Sequence, residues 1–482
     1  MSADINTVAS TTITASNPVL QPIASSASEA HHTLQHPHAR PLPALEPQPR
    51  WNLPRRIAFR FVFIYFILYS LPFPLQELPA SLIFGEEVAA KWFGWIQSYD
   101  QLWQKIVTWV GKTLFAIDIT VFPNGSGDTT FNYVQVLCFF AIASFGTFVW
   151  SAVDRKSGSH PRLHEWLRVY VRYVLALTML GYGFAKVIQT QFPPPSAERL
   201  MQTYGSSSPM GLLWTFMGAS TAYTFFAGFM ECLGGVLLFP RRTVTLGAMV
   251  VSGVMLNVVL LNFCYDVPVK LYSSHLLLMA MWLTLPDLPA LMSLLFRTKP
   301  VAPTPIQPLF RRRWMNRTVL ALKILFVGST LYFGFTSSHA MWKQMNDHSD
   351  DSPLAGVYLV ESFTRGSVPA ATSPASDDSR WKRVVINDFR QILVMAVQQT
   401  DDQMPRFRVT DDAEKKTMTI ANRADLNKSS TLTYAMPEPG VLTLSGVFMD
   451  QPIEVRLRRT AKDESLLTTR GFRWINEFPF NR

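Results

Sequence analysis

Seven long apolar stretches constrain the fold of this chain more than any other feature. Each is close to the 17 to 25 residues that a helix needs to cross the hydrocarbon core of a bilayer. Only 16% of the 482 residues are charged, against roughly 25% in soluble proteins. The sequence therefore predicts a multi-pass α-helical membrane protein with about seven transmembrane helices, near residues 57–75, 131–153, 166–188, 212–239, 243–264, 271–295 and 318–337.

Lys and Arg collect in every second connection between these stretches, the pattern expected of cytoplasmic loops. The basic connections are the segment before the first span, residues 154–168, Arg241-Arg242 and residues 297–317. The connections at 76–130, 189–211 and 265–270 carry far less positive charge. We therefore expect an inner (cell) membrane protein with a cytoplasmic N-terminus and an extracytoplasmic C-terminus. The net charge of +10 reflects this topology, so no nucleic-acid partner is predicted.

The two ends of the chain differ from its middle. Residues 1–50 are rich in Ser, Thr, Ala, Pro and His without an apolar period, which predicts a disordered cytoplasmic tail. An unstructured tail does not fix ligand geometry, so its histidines (His31, His32, His36 and His38) predict no metal site.

Residues 343–482 contain short alternating stretches separated by charged and proline-rich turns. This spacing predicts an all-β domain, an antiparallel meander closing into a barrel or sandwich, with strands near 356–363, 381–389, 392–398, 407–410, 417–421, 431–435, 441–448 and 453–459.

Between the first two spans, apolar residues recur at helical spacing from Val88 to Val110. They include Trp92, Trp95, Trp103 and Trp109. Indole side chains are favoured at the membrane surface, so this outer amphipathic helix fits the outer headgroup layer. Packing against the protein itself is an equally good interpretation.

Ionisable groups inside lipid are costly and usually face a bundle interior or a functional cavity. Counted from the cytoplasmic ends of their spans at about 1.5 Å per residue, Arg172 lies roughly 9 Å deep and Glu231 roughly 12 Å deep. These depths predict a structural ion pair between Arg172 and Glu231. Lys186 would have to reach roughly 15 Å to pair with Glu231.

A second polar cluster is predicted near the outer boundary, formed by Tyr182, Lys186, Asn262, Asp266 and His275. It offers the cation, the imidazole and the amide donors that a quinone headgroup or a small oxyanion requires. The alternative is structural: Lys186 reaches water from a helix end and His275 caps a turn.

Residues 166–296 carry three motifs that resemble the DoxX family, a four-helix membrane module. They are Leu180-Gly-Tyr-Gly-Phe-Ala-Lys186, Glu231-Cys-Leu-Gly-Gly-Val-Leu-Leu-Phe239 followed by Arg241-Arg242, and Asn262-Phe-Cys-Tyr-Asp-Val-Pro268. Glu231, Gly234, Gly235 and Lys186 occupy matching motif positions. The resemblance implies a subunit or relative of membrane oxidoreductases that handle reduced sulfur species and pass electrons to quinone.

Around this module, the expected domains are two transmembrane helices with the amphipathic helix (51–153), the DoxX-like bundle (154–296), a basic loop with a last span (297–342) and the β domain (343–482). Two functions fit this organisation. The first is a subunit or partner of a quinone-linked oxidoreductase, with quinone as a possible cofactor and a redox protein as a partner. The alternative is a non-catalytic scaffold or transport-assisting protein whose β domain binds a lipid or an envelope partner.

The sequence leaves open whether the chain is catalytic. It has no Gly-x-Ser-x-Gly or His-Glu-x-x-His motif, no paired-histidine haem spacing and no Gly-rich dinucleotide turn. Cys138, Cys232 and Cys264 lie singly in apolar segments, which indicates packing and not metal binding or disulfide exchange. Under the redox interpretation, another protein must therefore supply the electrons.

Overall fold

A computed structural model describes residues 50–75, 85–121, 124–155, 158–296, 312–346, 352–366, 368–369, 379–389, 392–422, 429–460 and 465–479. The predicted disorder of the N-terminal tail, including its four histidines, falls outside these residues, as does most of the basic loop at 297–317.

Helices occupy the positions of all seven predicted spans. They are α1 (Leu53–Ser70), α2 (Glu86–Phe115), α3 (Thr130–Val153), α4 (Pro161–Val187), α5 (Ala197–Met201), α6 (Pro209–Ala219), α7 (Thr221–Leu238), α8 (Val244–Cys264), α9 (Lys270–Thr284), α10 (Leu288–Leu295) and α11 (Arg313–Asn346), with a short α12 (Leu466–Thr469) near the C-terminus. Five stretches in the described part of the chain are long and apolar enough to cross a membrane: α3, α7, α8, α9 with α10, and α11. Their length and composition indicate a membrane protein.

The fourth predicted span is two helices and not one. α6 ends at Ala219 and α7 begins at Thr221, while Ser220 between them is extended (φ −123°, ψ 97°). The Ser220 hydroxyl accepts a hydrogen bond from the Tyr223 amide at 3.3 Å. A serine in this position caps the first turn of the following helix, so the chain can change direction inside an apolar run.

Small residues bring α4 and α7 into close contact. A Cβ atom added to Gly183 would lie 2.8 Å from the Gly228 carbonyl oxygen. One added to Gly235 would lie 2.9 Å from the Ala176 carbonyl oxygen. The two backbones therefore pack without intervening side chains along this seam. The apolar core beside it is formed mainly by α4, α7, α8 and α9 and includes Leu167, Leu175, Met179, Leu238, Val251, Leu276 and Leu283.

The amphipathic helix α2 packs on the protein along only part of its circumference. Trp103 is buried and meets the Phe139 ring of α3 edge-on at a centroid distance of 4.6 Å. Trp95 and Trp109 are 82% and 64% exposed. The face of α2 that carries Trp103 therefore packs against the protein. The face that carries Trp95 and Trp109 is exposed, as the predicted contact with lipid headgroups would require.

The C-terminal domain is a closed antiparallel β-barrel. Its strands are β1 (Gly356–Arg365), the two-residue β2 (Val368–Pro369), β3 (Trp381–Phe389), β4 (Ile392–Gln399), β5 (Arg406–Asp412), β6 (Thr417–Asn422), β7 (Ser429–Glu438), β8 (Val441–Phe448) and β9 (Gln451–Thr460). β1 and β3 to β9 pair in chain order, and β9 returns to β1 to close the barrel. Inward side chains such as Ile386, Met395, Met418, Leu444 and Leu457 form one contiguous core. Of the two predicted β architectures, the barrel is confirmed.

The barrel touches the connection between α4 and α6. The Gln398 side-chain amide donates a hydrogen bond to the Met201 carbonyl oxygen at 3.3 Å, and Arg406 forms an ion pair with Glu198. These contacts place the barrel beside the connection at 189–211, in line with the alternation of charge. Residues 128 and 270 also meet, since the Asp128 carboxylate accepts a hydrogen bond from the Lys270 amide at 2.7 Å.

Candidate functional site

A buried ion pair joins the C-terminal end of α4 to the middle of α7. The Lys186 ammonium nitrogen lies 2.7 Å from each oxygen of the Glu231 carboxylate. The side chains are 9% and 3% exposed. Charged groups are almost never buried to this degree without a partner, so each group makes burial of the other possible.

The predicted pair between Arg172 and Glu231 is wrong, because Glu231 pairs with Lys186. The depth estimate assumed that both spans end at the same level. The Tyr173 ring of α4 instead packs against Phe239, just beyond the end of α7, with a centroid distance of 5.5 Å. The predicted span at 166–188 therefore begins about seven residues, or roughly 10 Å, beyond the end of α7, and α4 itself begins earlier still, at Pro161. This offset removes most of the predicted gap between Lys186 and Glu231.

Arg172 lies beyond the inner end of α7, well below the Lys186–Glu231 pair. Its guanidinium carbon is 5.4 Å from the centre of the Tyr173 ring, a cation–π geometry. The residue is 8% exposed. Arg172 thus packs near the C-terminal end of α7, and it does not line the cavity that contains Lys186 and Glu231.

Lys186 and Glu231 line a cavity of about 680 Å³ between α4, α6, α7, α8 and α9. The volume lies in the range of roughly 300 to 1,000 Å³ that is usual for small-molecule sites. Most of the wall is apolar, with methionine and aromatic side chains from all five helices. The polar side chains on the wall are Tyr182, Lys186, Gln191, Tyr223, Glu231, Asn257, Asn262, Tyr272 and Ser273.

The structure brings together three of the five residues predicted as an outer polar site. Tyr182, Lys186 and Asn262 all line the cavity. The Asn262 amide nitrogen donates a hydrogen bond to the Ser273 hydroxyl at 3.0 Å. The Lys186 ammonium lies 5.6 Å from the centre of the Tyr182 ring, within cation–π range.

The other two predicted members lie elsewhere. Asp266 follows the end of α8, where its side chain is 83% exposed and its carboxylate lies 2.8 Å from the Lys270 ammonium. His275 faces α1: its Nε2 atom is 2.7 Å from the Tyr65 hydroxyl, and its ring stacks on Tyr69 at 3.9 Å. The sequence places all five residues at a similar depth in the membrane. Depth does not specify which helix each of these side chains faces, so it could not show that Asp266 and His275 lie outside the cavity.

Sequence reasoning missed Gln191 and Tyr272 as cavity residues and left Glu231 out of the group. Gln191 follows the end of α4, where its amide donates a hydrogen bond to the Ala185 carbonyl oxygen at 3.0 Å. Its side-chain oxygen is buried and accepts no hydrogen bond from any described residue. The prolines at 193–195 mark the end of the helix but do not indicate that the chain returns to the cavity. The cost of a lone carboxylate in lipid, by contrast, does point to Glu231.

The arrangement suits a mostly apolar molecule with a polar end. Lys186 and Tyr182 supply hydrogen-bond donors, and Gln191 and Glu231 supply acceptors. Within the described ranges, no three His, Cys, Asp or Glu side chains form a metal-binding group.

These features define the class of the protein: a protein with helices long and apolar enough to cross a membrane, a cavity between those helices built around an ion pair, and a β-barrel domain. No family model matches the chain, and no solved structure matches it. A stretch of 130 residues is 35% identical to "Uncharacterized protein YwoB" of Bacillus subtilis (strain 168), which covers 27% of this chain and 82% of that protein. The chain belongs to the same family as YwoB. The resemblance to the DoxX family stays a prediction.

Proposed function

We propose that the helical bundle binds a quinone in the cavity and that the chain acts as a DoxX-like subunit or partner of a quinone-linked membrane oxidoreductase. The observation that carries the proposal is the Lys186–Glu231 pair, buried in a largely apolar cavity of quinone size. A quinone headgroup is a planar apolar ring with two carbonyl oxygens. It needs hydrogen-bond donors at its edge and apolar contacts on its faces.

The described side chains meet both needs. Lys186 and Tyr182 can donate to a carbonyl oxygen, and the buried Gln191 oxygen can accept from a hydroxyl of the reduced form. The methionine and aromatic side chains on the wall, such as Met179 and Trp214, can cover the ring faces. Electrons would come from a partner protein, and we place the chain in the inner membrane with the barrel outside.

Co-purification of quinone tests this function. The protein is extracted in mild detergent from membranes that contain quinone, and bound quinone is quantified by chromatography. We expect quinone bound to the wild type and at least a tenfold loss in Tyr182→Phe/Asn262→Ala and in Lys186→Met/Glu231→Gln, which removes both charges together. His275→Gln is the matched control, because His275 is buried outside the cavity.

Two outcomes contradict the proposal. One is a wild-type protein that purifies without quinone and binds none when it is added. The other is equal binding by the wild type and both cavity variants. Either would favour the alternative of a non-catalytic scaffold whose barrel binds an envelope partner through its outer surface.

A further inference from the structure

We infer that the cavity takes its ligand sideways from the bilayer, between α7 and α8, and that the ligand is a membrane-dissolved molecule whose hydrocarbon tail stays in this opening. The inference rests on the proposed quinone site and narrows it. A small water-soluble molecule, such as an oxyanion, would have to arrive from the aqueous face instead. Three features of the cavity separate these two routes.

An apolar group of side chains, the cap, forms part of the cavity wall on the side where the barrel lies. It consists of Phe192, Leu213, Met217 and Val267, each no more than 6% exposed. All four also line the cavity. A charged or strongly hydrated ligand would lose its water while crossing this cap, with no polar group in the cap to replace it. Passage through the cap is therefore unfavourable for such a ligand.

The wall between α7 and α8 is tight at its inner end and open further out. Near the inner end, a Cβ atom added to Gly234 would lie 2.7 Å from a Val251 methyl group. Further out, Phe226 on α7 and Gly253 and Asn257 on α8 line the cavity while being exposed on the outside of the bundle. The cavity is thus continuous with the lipid-facing surface, close to the level of Glu231.

Asn257 marks this opening chemically. Its side chain is exposed on a helix of membrane-spanning hydropathy, and it hydrogen-bonds to no residue that the structure describes. An amide facing lipid without a partner costs free energy. A headgroup passing between α7 and α8 would meet this amide before it reaches Lys186, so Asn257 offers a first polar contact on the lateral route.

Gly253 allows the route to be blocked without disturbing the bundle. A Cβ atom added there has no heavy atom within 4 Å, and the same is true of Gly181 on α4, which does not line the cavity. Gly253→Leu should therefore narrow the opening, and Gly181→Leu is its matched control. Phe226→Ala removes an exposed ring from the other side and should widen the opening.

The test measures the association rate of a radiolabelled benzoquinone with a decyl tail, added to protein in lipid nanodiscs and recovered with the protein after defined times. We expect Gly253→Leu to slow association at least tenfold, Phe226→Ala to leave it equal or faster, and Gly181→Leu to match the wild type. A wild-type rate in Gly253→Leu, with normal binding at equilibrium, would overturn lateral access but leave the quinone site intact. Absence of binding in the wild type would overturn the quinone site itself.

Discussion

At the scale of single residues, the Lys186–Glu231 pair determines which substitutions in the helical bundle destabilise the protein. Removing both charges of a buried ion pair is often close to neutral, whereas removing one partner leaves an uncompensated charge and costs about 3 to 5 kcal/mol. Both side chains are at least nine-tenths buried, so this asymmetry applies here. The pair of Lys415 and Asp412, 2.9 Å apart on the barrel, is exposed, and solvent screens such pairs so that they contribute little to stability.

A double-mutant cycle measures this asymmetry. Lys186→Met and Glu231→Gln should each lower the free energy of unfolding in mixed micelles by about 3 kcal/mol. The double variant should lose clearly less than the sum of the two. Lys415→Met, the surface control, should change stability much less than either of these variants. Strictly additive losses at Lys186 and Glu231 would contradict a direct coupling between the two groups.

Much of this site could be anticipated from the cost of charge in lipid, which singles out Lys186 and Glu231 in the sequence alone. The pairing of Lys186 with Glu231 could not be predicted, because it depends on the vertical offset between α4 and α7. That offset is determined by how the two helices pack. Tyr173 against Phe239 sets that offset. Hydropathy along a single helix carries no information about it.

At the scale of elements, the contact between α4 and α7 depends on glycine. Gly183→Ala should lower the melting temperature in detergent and cost about 1 to 3 kcal/mol, as overpacking usually does, because the added Cβ would lie 2.8 Å from the Gly228 carbonyl oxygen. Gly181→Ala, two residues earlier in the same helix, meets no atom within 4 Å. It should be neutral or slightly stabilising. Equal melting temperatures for the two variants would contradict a close α4–α7 seam.

The seam that closes the barrel carries a pH-sensitive contact. Glu361 sits at a β-bulge between Val360 and Ser362 of β1, and its carboxylate accepts hydrogen bonds from Arg456, at 3.0 Å, and from Arg458. The Arg458 hydrogen bond, followed by that of Arg456, lowers the pKa of Glu361 below its ordinary value of 4.5. The resulting stabilisation is present above the unfolded-state pKa and is lost as the pH falls through the folded-state pKa.

The barrel, expressed as residues 352–479, should therefore melt at a lower temperature as the pH falls below about 4.5, with part of the loss due to Glu361. Glu361→Gln should melt lower than the wild type at pH 7, and the difference should shrink in acid. Circular dichroism at several pH values measures both curves. A constant difference from pH 7 to pH 3 would show that the carboxylate does not titrate against these arginines.

The strands and helices themselves were largely predictable. Alternation identified all eight strands of the closed barrel, because each strand has one face in the core and one in solvent. The break at Ser220 was not predictable, since it lies inside an apolar run and uses a single serine cap. The apolar periodicity of α2 also did not show which of its tryptophans are buried: Trp103 packs on α3, whereas Trp95 is exposed.

At the scale of the whole molecule, connections with the same predicted side of the membrane contact one another. On one side, the barrel contacts Glu198 and Met201, and Asp128 contacts Lys270. On the other side, the Trp51 amide donates a hydrogen bond to the Gly158 carbonyl oxygen at 2.9 Å. The seven predicted crossings would place these two groups of connections on opposite faces of the membrane.

Single-cysteine labelling in intact cells tests which connections face the outside of the cell and which face the cytoplasm. In a chain with its native cysteines replaced, Ser206→Cys and Lys415→Cys should react with a membrane-impermeant maleimide, because both positions are exposed on the barrel side. Arg242→Cys, equally exposed between α7 and α8, should react only after the membrane is broken, because basic connections stay in the cytoplasm. The reverse result would overturn the orientation, and labelling of all three in intact cells would contradict the membrane crossings between them.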